Sequence, residues 1–479
     1  MTADEGMMVR LLERLLNGRV NQRAGGADPA GDRAAAARLL EWGLAEEAGA
    51  DICLPAGVSA ETVSLFAGLI DTFDPILKRV ALKDSPMHFC TGLVRLPSPW
   101  NPAPTEARLT IPAGGQGENP ALAAISCLGE MAERISLFSK GPGDQRTFDK
   151  KNAFEDLPLG PVLGFSARQE KKFAELYPAV QAVLRNDRID WNGLSGRRVW
   201  VTNLRDGRRG QIPAFGVLLG EREGAAGSVP RVASSSGAAV WSNREDAARR
   251  ALHELVERDA FGRAWYNRLG ITRVYRDDWD RILPENLAQY LIGRARSTCV
   301  MRVVSDLDVH VLAAASYREN GLGGCLGVAA APTAAGAAFS AVAEMLQAEI
   351  SLELSARAYE ADRRRGDVQM PPGLAAAGTL RLSDELGLED LPRTDPKALA
   401  QVYDEGDLER SCHARNIDLW QFDATRADLG IPCVKILSPQ LCSWQPRFGK
   451  ERLFIAKGAI SKAERDVLEL EFEKRPFPF

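Results

Sequence analysis

Three short patterns in this sequence carry enough acid to do chemistry. The first is Ser126-x-x-x-Glu130-x-x-Glu133-Arg134, and the second is Glu254-x-x-Glu257-Arg258. Positions i, i+4, i+7 and i+8 share one face of an α-helix. The first pattern therefore presents a hydroxyl, two carboxylates and a guanidinium to the same side. Glu254, Glu257 and Arg258 each lie 124 residues after Glu130, Glu133 and Arg134, and Leu252 lies 124 after Leu128, so the buried side is echoed too. A weaker third copy is Ser340-x-x-x-Glu344-x-x-Gln347, with Gln347 in the place of Glu133, Ala348 in that of Arg134, and Glu349 next. Clustered carboxylates repel unless a cation neutralises them. Mg²⁺ does so, and it favours oxygen ligands and the phosphates of a nucleotide. Arginines beside the carboxylates can grip phosphate oxygens in a bidentate fork. Phosphoryl transfer needs little beyond such positioning and charge neutralisation. A single ExxER would read as a solvated helix with weak surface ion pairs; two aligned copies favour the metal–nucleotide reading.

The elements that must position these residues are legible in outline. PAGGQGENPALAAIS precedes the first motif and SSSGAAVWSNREDAARRAL the second. Both place small residues just before a helix, where backbone N–H groups can meet phosphate, although either alone also fits an ordinary turn and N-cap. Periodicity predicts long helices over about 243–268 and 333–362. Strands are predicted in TGLVRLP, ARLTIPA, RRVWVTNL, PAFGVLLG, HVLAAASYR, DLWQFDAT and PCVKILSP. Residues 1–90 read as helical, GEREGAAGS as a turn, and 363–397 as a mobile polar loop. Strands alternating with helices give an α/β (α+β) class. The expected organisation is a mostly helical region over 1–80 and a catalytic domain over 81–479.

Bulk properties narrow the function. The chain has 479 residues, of which 45% are hydrophobic, enough for a large core. At roughly 100–200 residues per domain it should form two to three units. The net charge of −4 and pI near 5.8 advertise no basic field, so nucleic acid is not an expected partner. No apolar run approaches the ~20 residues that span a bilayer. The N-terminal MTADEGMMVRLLERLL reads as a charged amphipathic helix, not a signal peptide, so a cytoplasmic protein without membrane contact is expected. Eight cysteines without a CxxC pair, and only four histidines, argue for free thiols over structural zinc. His253 sits one helical position out of phase with Glu254 and reads as a packed residue. Arg363–Arg365 reads as a solvated edge.

At this point the residues resemble the YcaO family, over about residue 80 to the C-terminus. Members carry SxxxExxER on one helix, ExxER followed by Asp on a second, and a Gln on a third; here these read SCLGEMAERIS, ELVERDAF and AEMLQAEIS. GFSARQ, RAWYNR, the pair FDAT and IPCVKILSP, and PRFGKERL resemble further segments of the azoline-forming branch. The resemblance implies a YcaO-type ATP-binding fold with mixed sheets packed on long helices and no P-loop, and no GxxxxGK[ST] occurs here. Carried over by position, Glu130, Glu133, Glu254 and Glu257 would bind Mg²⁺. Ser126, Arg134, Arg258 and Gln347 would contact ATP, with Gly115 and Gly117 in the first small-residue loop. Three departures bear on single contacts. Gln116 stands where the family often has Lys, Ser236 where it has Asn, and Glu349 where it has Arg.

The chain ends Arg475-Pro476-Phe477-Pro478-Phe479. Azoline-forming members end in a similar PxPxP run that directs the C-terminus into the active site, and here the last residue is Phe. Alternating prolines stiffen an extended segment. The resemblance implies ATP-dependent cyclodehydration of Cys, Ser or Thr in a ribosomal precursor peptide, giving thiazoline or oxazoline through a phosphorylated backbone amide. Pro476, Pro478 and Phe479 would serve catalysis, the Phe479 carboxylate as candidate base. It also implies a separate leader-binding partner resembling ubiquitin-activating enzymes, a flavin-dependent dehydrogenase acting later, and a homodimer. Backbone thioamidation on the same ATP site, and a non-catalytic ATP-site scaffold, are the alternatives.

Overall fold

The computed structural model describes residues 11–12, 20–21, 29–49, 51–97, 108–222, 230–366, 368–458 and 460–478. The chain divides into two compact units. One comprises Met1–Pro142, Ala239–Ala247 and Ala424–Val434, and the other Gly143–Ala238, Ala248–Asp423 and Lys435–Phe479.

The first unit is built on an antiparallel sheet of β1 (Ile76–Val80), β2 (His88–Pro97) and β3 (Arg108–Gly117), with β2 central. Helix α1 (Pro120–Leu137) packs on it. TGLVRLP and ARLTIPA lie in β2 and β3, as predicted. β3 runs on, however, through Gly114, Gly115, Gln116 and Gly117, which the sequence reading put in a loop. The reason is packing. A Cβ on Gly115 would stand 2.2 Å from the Ala123 carbonyl oxygen and 2.3 Å from the Cys127 nitrogen. These glycines let α1 lie almost on the strand, which pairs with β2 to its last residue. α1 is started by Asn119, whose side chain accepts from the Leu122 N–H, with Pro120 in the first turn. It buries Leu128, Met131 and Ile135 completely.

The described part of residues 1–90 is less helical than expected. Helices Pro29–Trp42, Ala60–Ser64 and Ala67–Phe73 are joined by a small sheet of Val20–Asn21, Asp51–Cys53 and Glu46–Ala48, and by β1. A strand reading Glu-Glu-Ala carries no β signal of its own; its pairing with Asp51–Cys53, whose Ile52 is fully buried, imposes it. The helix expected over MTADEGMMVRLLERLL lies outside the described residues, except for Leu11 and Leu12, which are helical and buried.

Two further sheets are formed, mainly by segments of the second unit. Strands β4 (Arg197–Asn203), β5 (Arg209–Pro213), β6 (Ala238–Val240), β11 (Trp420–Asp423) and β12 (Cys433–Leu437) form one, in the order β6-β12-β11-β4-β5, with Glu155–Asp156 beyond β5. Strands β7 (Ile271–Val274), β8 (Ser297–Val303), β9 (His310–Tyr317) and β10 (Cys325–Ala331) form an antiparallel meander. Helix α2 (Arg244–Asn267) follows β6, α3 (Ala334–Arg363) follows β10, and α4 (Lys462–Glu473) precedes the C-terminal tail. α2 and α3 match the two long predicted helices. PAFGVLLG is not a strand: Pro213 ends β5 and Ala214–Gly216 forms a 3₁₀ turn, with Gly216 tight against Leu159. Nor is 363–397 a structureless loop. It carries the short helices Pro372–Thr379 and Leu382–Leu386 and the start of Pro396–Leu399, and Leu382, Leu386 and Leu388 are buried. Its prolines and charges hid widely spaced apolar anchors. Among the described residues, no helix is long and apolar enough to cross a membrane.

Candidate functional site

In each acidic motif the first carboxylate folds back onto the strand before its own helix. Glu130 Oε2 accepts from the Gly114 N–H at 2.6 Å, Glu254 Oε2 from Ala238 at 3.1 Å, and Glu344 Oε2 from Val328 at 3.2 Å. The separation is 16 residues every time. The sequence repeat is therefore a repeat of one strand–helix unit, and a backbone amide fixes the aim of each carboxylate. The copy that looked weakest in the sequence, at Glu344, is held in the same way as the others.

In the first unit, Arg134 pairs with Glu130 one turn away and donates to the Pro112 carbonyl at 2.6 Å. Ser126, Glu130, Glu133 and Arg134 are half-buried along α1. Gly115 and Gly117, expected in a phosphate-facing loop, are instead strand residues buried beneath α1.

In the second unit, α2 and α3 bring Glu254, Glu257, Arg258 and Glu344 into one electrostatic cluster, and Gln347 follows Glu344 on α3. Arg258 Nη2 donates to Glu254 Oε1 at 3.1 Å, and its Nη1 lies 2.9 Å from Glu257 Oε1. That second contact is close but poorly aligned, so Arg258 Nη1 and Glu257 Oε1 both lack a well-formed hydrogen bond, as does the buried Gln347 Oε1. Burial pushes the Glu257 carboxyl well above the usual carboxylate range; Arg258 opposes this, and Glu344 and Glu254 add to it. Arg258 goes up: burial works against its charge, but Glu257, Glu254 and Glu344 outweigh it. Crowded carboxylates with unengaged oxygens are the environment a hard cation relieves. Among the described residues, no three acidic, Cys or His side chains form a ready-made cage. Mg²⁺ bound with a nucleotide takes most of its ligands from phosphate and water, and needs no such cage.

This predicts a pH-dependent stability difference. A carboxyl whose folded pKa is raised favours the fold fully below its unfolded value, and that contribution is lost as pH rises toward the folded value. Without nucleotide, Glu257→Gln should therefore melt above the parent at pH 8, and the gap should close near pH 5. Parallel melting curves across that range would show that Glu257 is not held protonated.

The tail reaches the same cluster. The Arg258 guanidinium lies 3.4 Å over the Trp444 ring, and Trp444 stacks on Phe477 at 4.7 Å. Phe477 is also edge-on to Trp265 at 5.4 Å and Phe261 at 5.8 Å, and is only 9% exposed. Arg475 donates to the Trp265 carbonyl at 2.6 Å and to Glu385 Oε2 at 2.5 Å, and its own carbonyl accepts from Trp265 Nε1 at 3.1 Å. Pro476 is exposed and Pro478 half-buried, so the residue seated here is the Phe between the prolines. Phe479, the expected base, lies outside the described residues.

Trp444 and Phe477 were not among the expected site residues. Their aromatic character was visible, but only the fold puts Trp444 on Arg258 and Phe477 on Trp444. Glu349, which replaces an expected Arg, is turned to other work. It pairs with Arg294 at 2.9 Å and Arg296 at 3.3 Å, a buried network behind α3. Burial lowers the His253 imidazole to about 4, helped by Arg250 and Arg249, so it is a neutral packed residue. Arg363 and Arg365 are solvated and pair with Glu360 and Asp362 of α3. None of the eight cysteines, all among the described residues, forms a disulfide.

Residues 114–442 match the family model described as YcaO cyclodehydratase, ATP- and Mg²⁺-binding. No curated protein matches the chain in sequence. Its fold is similar to a heterocyclase in complex with substrate and cofactor (TM-score 0.66, 20% identity, 84% of this chain and 54% of that one). It also resembles YcaO from Methanopyrus kandleri bound with AMPPCP and Mg²⁺ (TM-score 0.52, 17% identity, 77% and 86%). A third similar structure is the E. coli microcin synthetase McbBCD complex (TM-score 0.55, 14% identity, 85% and 96%). The chain spans about half the length of the first heterocyclase and of the heterocyclase TruD (54% and 51%).

Proposed function

Because the chain belongs to the YcaO family of ATP- and Mg²⁺-binding cyclodehydratases, we propose that it phosphorylates a backbone amide of a ribosomal precursor peptide and so closes azoline rings. The observation that carries this reading is the α2–α3 cluster. Amide-aimed carboxylates surround a buried Glu257 and an Arg258 whose far face is stacked by the tail through Trp444.

A Cys Sγ, or a Ser or Thr Oγ, of the peptide attacks the carbonyl carbon of the preceding amide. The resulting oxyanion takes the terminal phosphoryl group of ATP, and ADP leaves. The amide nitrogen then expels phosphate and loses its proton, giving the C=N bond of thiazoline or oxazoline. Glu254, Glu257 and Glu344, and in the first unit Glu130 and Glu133, would hold Mg²⁺, which supplies charge neutralisation at the phosphates. Arg258 and Arg134 clamp phosphate oxygens, and Ser126 and Gln347 offer further polar contacts. The Phe479 carboxylate, two residues beyond the seated Phe477, would be the proton acceptor that ring closure needs.

The tail seat favours cyclodehydration over thioamidation, which has no evident use for it. The substrate-bound heterocyclase and the McbBCD complex support a peptide substrate and partner proteins. A leader-binding partner, a later flavin-dependent dehydrogenase and a homodimer belong to the proposal. Mass spectrometry of a candidate precursor incubated with the chain, partner and Mg·ATP decides the reaction. Loss of one water per ring with matching phosphate release is expected. Replacement of an amide oxygen by sulfur would identify thioamidation, and an unmodified peptide without ATP turnover would leave only a scaffold.

A further inference from the structure

Away from its carboxylates, the second unit contains a cavity of about 50 Å³ lined by Lys435, Arg447 and Lys450, together with Ser234, Ser236, Ser438 and Ser443. Among the described residues, no Asp or Glu lines it. Arg447 donates to the carbonyls of Leu163 at 3.3 Å and Val232 at 2.9 Å. Lys450 Nζ donates to those of Ser438 at 2.9 Å and Pro439 at 2.8 Å. Lys435 donates to the Ser234 carbonyl. Carbonyl oxygens take some of the N–H groups of Arg447 and Lys450, leaving further donors and no counterion for either charge.

Several other buried guanidinium groups of this unit are matched. Arg452 has Asp259 at 2.7 Å and Asp306 at 2.9 Å, Arg263 has Asp306 at 2.7 Å, Arg294 has Glu349 at 2.9 Å, and Arg197 has Glu221 at 2.7 Å. Burial lowers Arg447 to about 10 and Lys450 to about 7. For Lys450, the Cys442 thiol works against that lowering, the Arg447 charge adds to it, and Asp259, already engaged by Arg452, works weakly against it. A buried cation without a counter-charge is costly. Here two of them face one cavity.

We propose that this cavity binds a single phosphate-type oxyanion. A planar fork, an ammonium and several hydroxyls form a donor set suited to a compact, multiply charged anion. Ser236 precedes Gly237 and the Ala238 amide that holds Glu254, and Leu255, also on the cavity wall, follows Glu254. The cavity thus abuts the α2 motif from behind. The anion has two possible sources, inorganic phosphate or the terminal phosphate of a nucleotide. The proposal stands on the cavity's own residues and does not depend on which peptide reaction the chain performs.

The test is calorimetric titration of the full chain with inorganic phosphate, without nucleotide or peptide. Saturable binding is expected, weakened at least tenfold by Arg447→Met and by Lys450→Met. Both variants should melt no lower than the parent without phosphate, because an apolar side chain replaces an unpaired charge. Binding at pH 8 should take up a proton, read from the dependence of the heat on buffer, and Lys450→Met should abolish that uptake. Phosphate displaced by a non-hydrolysable ATP analogue but not by ADP identifies the nucleotide's terminal phosphate as the occupant. Phosphate retained beside both identifies free phosphate. No saturable binding to the parent chain, or undiminished affinity in both variants, overturns the proposal.

Discussion

Arg258→Met should lower peptide-dependent ATP turnover by about 1,000-fold, the scale for losing a guanidinium that stabilises a transferring phosphoryl group. Three contacts make this the most sensitive position. Arg258 bridges Glu254 and Glu257 at 3.1 and 2.9 Å and lies 3.4 Å over Trp444. The loss should fall mainly on kcat, because in the proposed reaction the guanidinium acts on charge that develops during transfer. Arg258→Lys keeps the charge but loses the fork and the stack, and should recover only part of the rate. Folding should survive, since Glu257 can stay protonated when its partner is removed. A variant whose KM for ATP rises while kcat is unchanged would reduce Arg258 to a ground-state contact.

The second large effect concerns the tail. Removing Pro478 and Phe479 should reduce turnover by about 100-fold or more, the scale of lost general acid–base assistance. Melting temperature and ATP affinity should hardly change, because Phe477 stays in its seat. Removing Pro476–Phe479 also extracts Phe477 from Trp444, Trp265 and Phe261. Losing a buried Phe side chain costs about 3–5 kcal/mol, so this longer deletion should destabilise the unit as well. Steady-state ATPase assays with peptide, beside thermal melts, separate the two losses. Full turnover after the shorter deletion would make the tail a packing element and nothing more.

The contrast between these variants reflects how the site is assembled. ExxER spacing is a local property of one helix, so it could be read along the chain, and so could the constant 124-residue offset. The long helices α2 and α3 were equally legible, because an uninterrupted run of helix-forming residues leaves few alternatives. The glycines before α1 were visible but misplaced. Gly115 looks like a loop residue until the helix backbone is found within 2.3 Å of where its Cβ would stand. The buried leucines of 363–397 were lost among prolines and charges for the same reason: burial is set by what packs against a segment.

Residue types and spacing alone determined the acidic helices, the number of carboxylates and the family to which the chain is similar. Tertiary structure alone decided three other things. It made Glu344 equivalent to Glu130 and Glu254, by supplying a strand amide 16 residues back in each case. It turned Glu349 toward Arg294 and away from the part an Arg would have played. It also brought Trp444, far from α2 in sequence, onto Arg258, and Phe477 onto Trp444. Helical periodicity fixes neighbours only a few residues apart; which distant groups share a low-dielectric pocket depends on how the strands and helices close around it.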